Sequence, residues 1–345
     1  MTSPVLSIPK PISFGKLIDA FLDESTPFHP RYLNRLSDLE PEDAALFFEA
    51  WPKVSRRRRE ALLEDLEEIH MADDLLCFEA VTSIALKDEN PGVRLRAIRI
   101  LREYELVDLL PTFQIMAECD ADTDVRAEAA TALGIYIYMG EVEDISPVKL
   151  KKVEECLLSL LSSQEPVQVQ RRALESMGFS SRKEVPGLIE NAYASKDMDW
   201  VITSLFAMGR SANSRWNPKV LKMLTHPHPG VRAEAACAAG ELELKSAKPA
   251  LVELLEDPDF DVRMASIWSL SQVGGKGVRK ALERLLETTD DDEEAKQIKN
   301  ALENLDFTEE MQGLAILEIT EDGDESSEDD FDDNNEDLIS EDDLD

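Results

Sequence analysis

Between Pro166 and Ser271 the apolar and polar positions fall into four blocks of one pattern. They read VQVQRRALESMG (Val167–Gly178), MDWVITSLFAMG (Met198–Gly209), PGVRAEAACAAG (Pro229–Gly240) and FDVRMASIWSLS (Phe260–Ser271). Their third residues, Val169, Trp200, Val231 and Val262, stand 31 residues apart each time. With that residue as position 0, positions 0, +4, +5 and +8 form one apolar stripe at the turn of an α-helix. A fixed period of this size predicts stacked units, each burying a face it cannot cover alone. Two earlier blocks share the pattern, PGVRLRAIRILR (Pro91–Arg102) and TDVRAEAATALG (Thr123–Gly134), with Val93 and Val125 32 apart. The next step, Val125 to Val169, is 44, which predicts a loop insertion around Tyr138–Lys149.

The limits of the second helix of each unit are written in side chains. Position −3 is Asn90, Asp122, Asp197 or Asp259 in four units, residue types that cap a helix start. Pro91 and Pro229 stand at the first helical position. Position +9 is glycine four times (Gly134, Gly178, Gly209, Gly240), for a left-handed or close-packed helix end. Pro186, Pro218 and Pro249 mark the first helices of the later units. The N-terminal part predicts further helices at Ile12–Leu22, Tyr32–Leu39, from Pro41, after a cap at Ser55 and at Ala72–Leu86. They depart from the 31-residue period, as end units do. The organisation expected is an irregular lead-in (1–12), atypical helical units (13–87), the repeat array (88–305), a linker with the apolar run Met311–Ile319 (306–320) and an acidic tail (321–345). The tail buries too little apolar surface to offset its chain entropy and is expected to be disordered.

The motif D-x-x-V-R-x-x-A-x-x-A-L-G appears as DTDVRAEAATALG, and in looser form as HPGVRAEAACAAG and DFDVRMASIWSLS. It resembles the HEAT-like repeats of the type also found in phycobilisome lyases, over roughly residues 85–305. The resemblance implies an all-α, right-handed solenoid of antiparallel helix pairs, with the second helices lining the concave side. It implies no single function, because the fold serves many.

Charge narrows the choice. The formal net charge is −35 over 345 residues, and the tail holds fifteen acids and no base, so the remainder carries −20. So acidic a body argues against nucleic acid as a partner, since phosphate contact needs a dense basic face. No apolar run approaches the length of a membrane helix, and the N-terminus lacks a signal-peptide core. Cys77, Cys119, Cys156 and Cys237 are isolated from one another and from histidine. They read as small buried hydrophobes in a reducing cytoplasm rather than as a metal or disulfide framework.

Candidate chemistry is sparse. Arg94, Arg126, Arg232 and Arg263 follow the register valine. They read either as an anion-binding ladder or, preferably, as links to an Asp near the start of a neighbouring helix, such as Asp124 or Asp261. Arg56–Arg59 read as a charged helix start, with docking of an acidic segment, even the chain's own tail, as the sharper alternative. Positions +2, +3 and +6 lie opposite the apolar stripe and are expected to line the concave groove. There Arg96, Arg99, Arg171 and Arg172 are basic within an acidic chain, and Phe206, Met264 and Trp268 are large and apolar on a face expected to be wet. Arginine and aromatic residues dominate interface energetics. The competing reading is that the three apolar side chains pack into the core.

No nucleophile elbow or phosphate loop occurs, and none of the four histidines precedes a glutamate as in di-iron HEAT-like hydroxylases. His226 and His228 flank Pro227 without further close ligands. The expectation is therefore a cytoplasmic, non-enzymatic scaffold or adaptor that binds a protein or peptide on its concave face. No catalytic, cofactor or metal residues are expected. An accessory lyase or other enzyme using the fold as a ligand cradle is the first alternative. A regulator whose acidic tail binds a basic partner is the second.

Overall fold

The computed structural model of the chain describes residues 13–321 apart from 74 and 163, with side chains to residue 308. The expectations for the lead-in and for nearly all of the acidic tail lie outside the described residues.

Three helices open the chain: α1 (Phe14–Leu22), α2 (Pro41–Ala50) and α3 (Arg56–Ala72). Seven pairs follow: α4 (Glu79–Ala85) with α5 (Pro91–Leu101), α6 (Leu110–Cys119) with α7 (Thr123–Glu141), α8 (Pro147–Ser162) with α9 (Val167–Met177), and α10 (Val185–Tyr193) with α11 (Met198–Arg210). The series closes with α12 (Asn217–Met223) and α13 (Pro229–Glu241), α14 (Lys248–Leu254) and α15 (Phe260–Val273), and α16 (Val278–Thr288) and α17 (Asp292–Glu321). No strand occurs among the described residues. Odd helices from α3 to α17 stack each on the next, and each even helix from α4 onward packs on the odd helix that follows it. The result is an all-α solenoid of two helical layers.

The caps act as their residue types require. Asn90, Asp122, Asp197 and Asp259 accept backbone N–H bonds from the first turns of α5, α7, α11 and α15. Ser55 precedes α3, but its side chain makes no capping bond. The register valines 93, 125, 169, 231 and 262 are fully buried, and the small residues at +4 lie beneath the adjoining helices.

Close packing, not a left-handed turn, explains the glycines at +9. Gly178 is right-handed (φ −53°, ψ −34°), and a Cβ there would lie 2.8 Å from the Ala207 Cα and 2.9 Å from its carbonyl oxygen. Small residues close the same seams elsewhere. Ser176 Oγ donates to the Ala130 carbonyl (2.8 Å) and Ser269 Oγ to that of Ala236 (2.6 Å), joining α9 to α7 and α15 to α13.

The repeated arginines are links between units. Arg94 forks onto Asp120 (2.8 and 2.6 Å) and Arg232 onto Asp257 (2.8 and 2.8 Å). Arg126 reaches Glu165 (2.9 Å) and Arg263 reaches Glu294 (2.6 Å). Each also donates to a backbone carbonyl in its own preceding turn, Asp88, Asp120, His226 or Asp257. The acceptors are thus acids in the turn before the next odd helix (Asp120, Glu165, Asp257) or in its first turn (Glu294), not Asp124 or Asp261. Burial alone would raise the Asp257 carboxyl; hydrogen bonds from Arg232 and the Asp259 N–H outweigh it and leave it below the ordinary value. The ladder begins one unit earlier than the period shows, because Arg59 of α3 pairs with Asp88 (3.0 Å) and Glu89 (3.0 Å). Gln170 and Val201 occupy the arginine position in α9 and α11.

Two further expectations change. The extra residues between Val125 and Val169 are mostly helix: α7 has 19 residues and α8 has 16, so the excess lengthens both members of the hairpin rather than its loop. The supposed linker is helical as well, since α17 runs without interruption from Asp292 to Glu321. At the other end, Phe21 stacks on Phe47 (5.2 Å) and lies 6.1 Å from Trp51, whose indole N–H donates to Asp88 (2.8 Å). Arg58 donates to the carbonyls of Ala20 (2.9 Å), Asp23 (2.7 Å) and Thr26, closing the end of α1. Arg56 and Arg59 are likewise engaged within the chain, so of the four arginines only Arg57 extends into solvent without a described partner.

Candidate functional site

Arg102, next after α5, bears electrostatically on Arg210, which ends α11 three layers away. The odd helices stack in one layer, so their C-terminal ends lie along one edge of it. Positions +3, +6 and +10 of these helices stand about one turn apart and so share one helix face.

Its N-terminal half is an ionic lattice. Arg96 pairs with Glu64 (3.1 Å) and Glu67 (3.3 Å), Arg99 with Glu67 (3.3 Å) and Glu128 (3.0 Å), and Arg102 with Glu128 (2.7 Å). These arginines join α3, α5 and α7. Arg99 and Arg102 border a cleft of about 480 Å³ that Glu67, His70 and Tyr104 also line. Arg171 pairs with Asp199, and Arg172 with Glu175 (2.6 Å), whose other oxygen accepts from Thr203 Oγ1 (3.0 Å). The basic residues expected to face a partner are thus largely committed to neighbouring repeats.

The C-terminal half differs. Phe206 and Trp268 are half-buried, not wet as expected. Trp268 lies over Gly240, where a Cβ would come within 2.7 Å of its ring. Met264 packs against the core, so the core reading holds for that residue. The Arg210 guanidinium sits 4.1 Å from the centre of the Phe206 ring and 4.7 Å from that of Phe179, and Tyr138 meets Phe179 edge-on at 5.6 Å. Tyr138 reaches this place because α7 is long. Around the stack stand Glu175, Glu234 and Glu241, the last with a carboxylate oxygen against Gly209. Burial first, then the charges of Glu241 and Glu175, push Glu234 up to about 8, against the opposing pull of Arg210 and Arg172. Glu241 is raised too, by burial, and burial lowers Arg210. Burial also pushes the Cys237 thiol up to about 12, which keeps it protonated and unreactive.

Of the expected residues, Arg172 and Phe206 border the Glu175, Glu234 and Glu241 cluster and Trp268 lies beside it over Gly240, whereas Arg96 and Arg99 belong to the separate lattice. The residues missed were Phe179, Arg210 and Glu241. All three stand at +10, one place past the glycine taken as the helix end. The cysteines are free: Cys156 is buried, Cys77 and Cys237 are half-buried, and Cys119 is exposed, contrary to the expectation for it. No helix among the described residues is long and apolar enough to cross a membrane.

Comparison with known proteins agrees with this architecture. The family described as HEAT repeats matches residues 78–149 and 217–303. No curated protein matches the chain. Among solved structures, YibA of Escherichia coli is similar at 19% identity over 80% of this chain and 96% of that one, with a TM-score of 0.40. The complex of CpcE and CpcF of phycocyanin lyase from Nostoc sp. PCC7120 is similar at 20% identity over 66% and 94%, with a TM-score of 0.43. Human deoxyhypusine hydroxylase in complex with glycerol is similar at 17% identity over 75% and 95%, with a TM-score of 0.33. The chain thus carries HEAT repeats in these two stretches, and between them the same stack of paired helices continues through α8–α11.

Proposed function

We propose that the chain is a non-enzymatic cytoplasmic adaptor that holds a protein or peptide segment on the inner face of its helix array. The single observation behind this reading is the +6 column. In α5, α7 and α9 that column is Arg99, Thr131 and Glu175, each already bonded within the array. In α11, α13 and α15 it is Phe206, Cys237 and Trp268, half-exposed residues that leave an apolar track along the same face. Aromatic side chains in a partly enclosed surface are the usual anchors of a protein interface. The histidines support the non-enzymatic part of the reading, since the Nδ1 atoms of His29 and His226 accept backbone N–H bonds in their own turns (3.1 Å each).

The test is selection of a random dodecapeptide library on the immobilised chain, with the Phe206→Ala variant as the parallel bait. Sequences enriched on the parent are expected to be lost on the variant, while its circular dichroism stays unchanged. Equal enrichment on both baits removes the inner face as the docking surface.

A further inference from the structure

The apolar track is not electrically neutral, and its surroundings select the occupant. Glu234 stands at +3 and Glu241 at +10 of α13, on either side of Cys237. From α9, Glu175 and Arg172 face them, and from α11, Arg210. α15 presents Met264, Ala265, Trp268 and Gln272 at the matching positions, none of them a base. Of the two guanidiniums, Arg172 is taken by Glu175 at 2.6 Å. Arg210 sits over the rings of Phe179 and Phe206 and, among the described residues, forms no ion pair with Glu234 or Glu241. Three carboxylates therefore face two cations, and both carboxylates of α13 lack a direct partner charge. Toward the N-terminal end of the same face, Arg96, Arg99 and Arg102 are neutralised by Glu64, Glu67, Glu103 and Glu128. An anionic occupant would find no spare cation there and would meet the repulsion of the −20 body.

Resting on the docking reading above, we infer that the occupant is a basic segment of a partner protein, whose arginine or lysine enters between Phe206 and Trp268 and pairs with Glu234 and Glu241, with an apolar neighbour on the track. The site already shows how it holds a cation. Arg210 of the chain itself is bound through ring faces, an attraction that grows where water is excluded. A second cation supplies the missing charge. Below the Glu234 pKa a proton does the same, so proton and ligand compete for one carboxylate.

Fluorescence anisotropy with three labelled peptides tests this on the full chain. The peptides share a Gly-Ser-Leu background and differ only in two central residues: Arg-Arg, Gln-Gln or Glu-Glu. The Arg-Arg peptide is expected to bind at least tenfold more tightly than the other two at pH 8.5, and roughly tenfold more weakly at pH 6.5, where Glu234 holds its proton. The acidic tail attracts basic peptides as well, so the result is read as the difference between the parent and the Glu234→Gln/Glu241→Gln double variant, whose tails are identical. Loss of the difference between Arg-Arg and Gln-Gln in the double variant, with melting retained, supports the inference. If Arg-Arg and Gln-Gln bind alike and Phe206→Ala weakens both, the basic partner is refuted while the inner-face reading stands. If none of the peptides distinguishes the parent from either variant and the library selection yields nothing, both are refuted.

Discussion

Gly178→Ala and Gly187→Ala are the same chemical change with opposite expected signs. Gly187 lies in α10 with nothing within 4 Å of a Cβ, so alanine there only restricts the unfolded chain and improves helix propensity. It is expected to stabilise by about 0.5–1 kcal/mol. At Gly178 the new Cβ meets the Ala207 Cα at 2.8 Å and its oxygen at 2.9 Å, both in the backbone of α11. Ordinary carbon contact begins near 3.5 Å, so α9 and α11 have to part by roughly 0.7 Å along that seam. A gap of that order forfeits about a quarter to a half of the dispersion energy of each contact it opens. Overpacking of this kind costs about 1–3 kcal/mol, and the helix-propensity gain offsets at most about 1. The net expectation is about 1–2 kcal/mol of destabilisation. Urea unfolding followed by far-ultraviolet circular dichroism compares the midpoints of both variants with the parent. A Gly178→Ala midpoint equal to or above that of Gly187→Ala would refute close approach as the reason for glycine at +9.

The ladder makes a second prediction. Arg232→Ala leaves Asp257 nearly buried without its fork and is expected to cost about 2–4 kcal/mol; Asp257→Ala costs a similar amount, and the double variant much less than the sum. Additive losses in urea unfolding would show that the pair does not act as one link. The third concerns pH. Glu234 has its folded pKa raised to about 8 from an ordinary 4.5, so the favourable contribution of its protonated form is complete below 4.5 and lost as pH rises through 8. Glu234→Gln is expected to flatten the fall in melting temperature between pH 5 and 9 and to melt above the parent at pH 8.5. Parallel curves for the two proteins would place Glu234 in water.

The repeat itself was legible because its requirements are local and recur. An aspartate three residues before a buried valine, alanine at +4 and glycine at +9 each answer to one helix or one seam, so spacing alone exposes them. Where the spacing drifts, the signal weakens. Arg59 belongs to the ladder, but its distance to Arg94 is 35 residues, and nothing but its contact with Asp88 shows the membership. Length was misread where helix replaced loop, because Tyr138–Lys149 contains Gly140 and Pro147 and resembles a connection. Gly140 sits inside α7 because the Leu150 side chain packs where its Cβ would be. The candidate site was only half legible. Phe206 stood out by type, whereas Arg210 and Glu241 are ordinary charged residues until the stacking of α9, α11 and α13 brings them together. Stacking between units is set by many contacts at once and has no single residue to announce it.

The ladder also has a polarity. Arg59, Arg94, Arg126, Arg232 and Arg263 each reach forward to an acid of the following unit, so the bond between units is head-to-tail and recurs along the array, with gaps at α9 and α11. A contact of that kind has no intrinsic stopping point: an exposed leading end of one molecule would fit the trailing end of another and add copies without closure. Whether such a chain stays a single particle is therefore decided at its termini rather than in its repeats. The stacked rings of Phe21 and Phe47, with Trp51 spending its indole N–H on Asp88, cover the leading end with surface that no later unit reproduces.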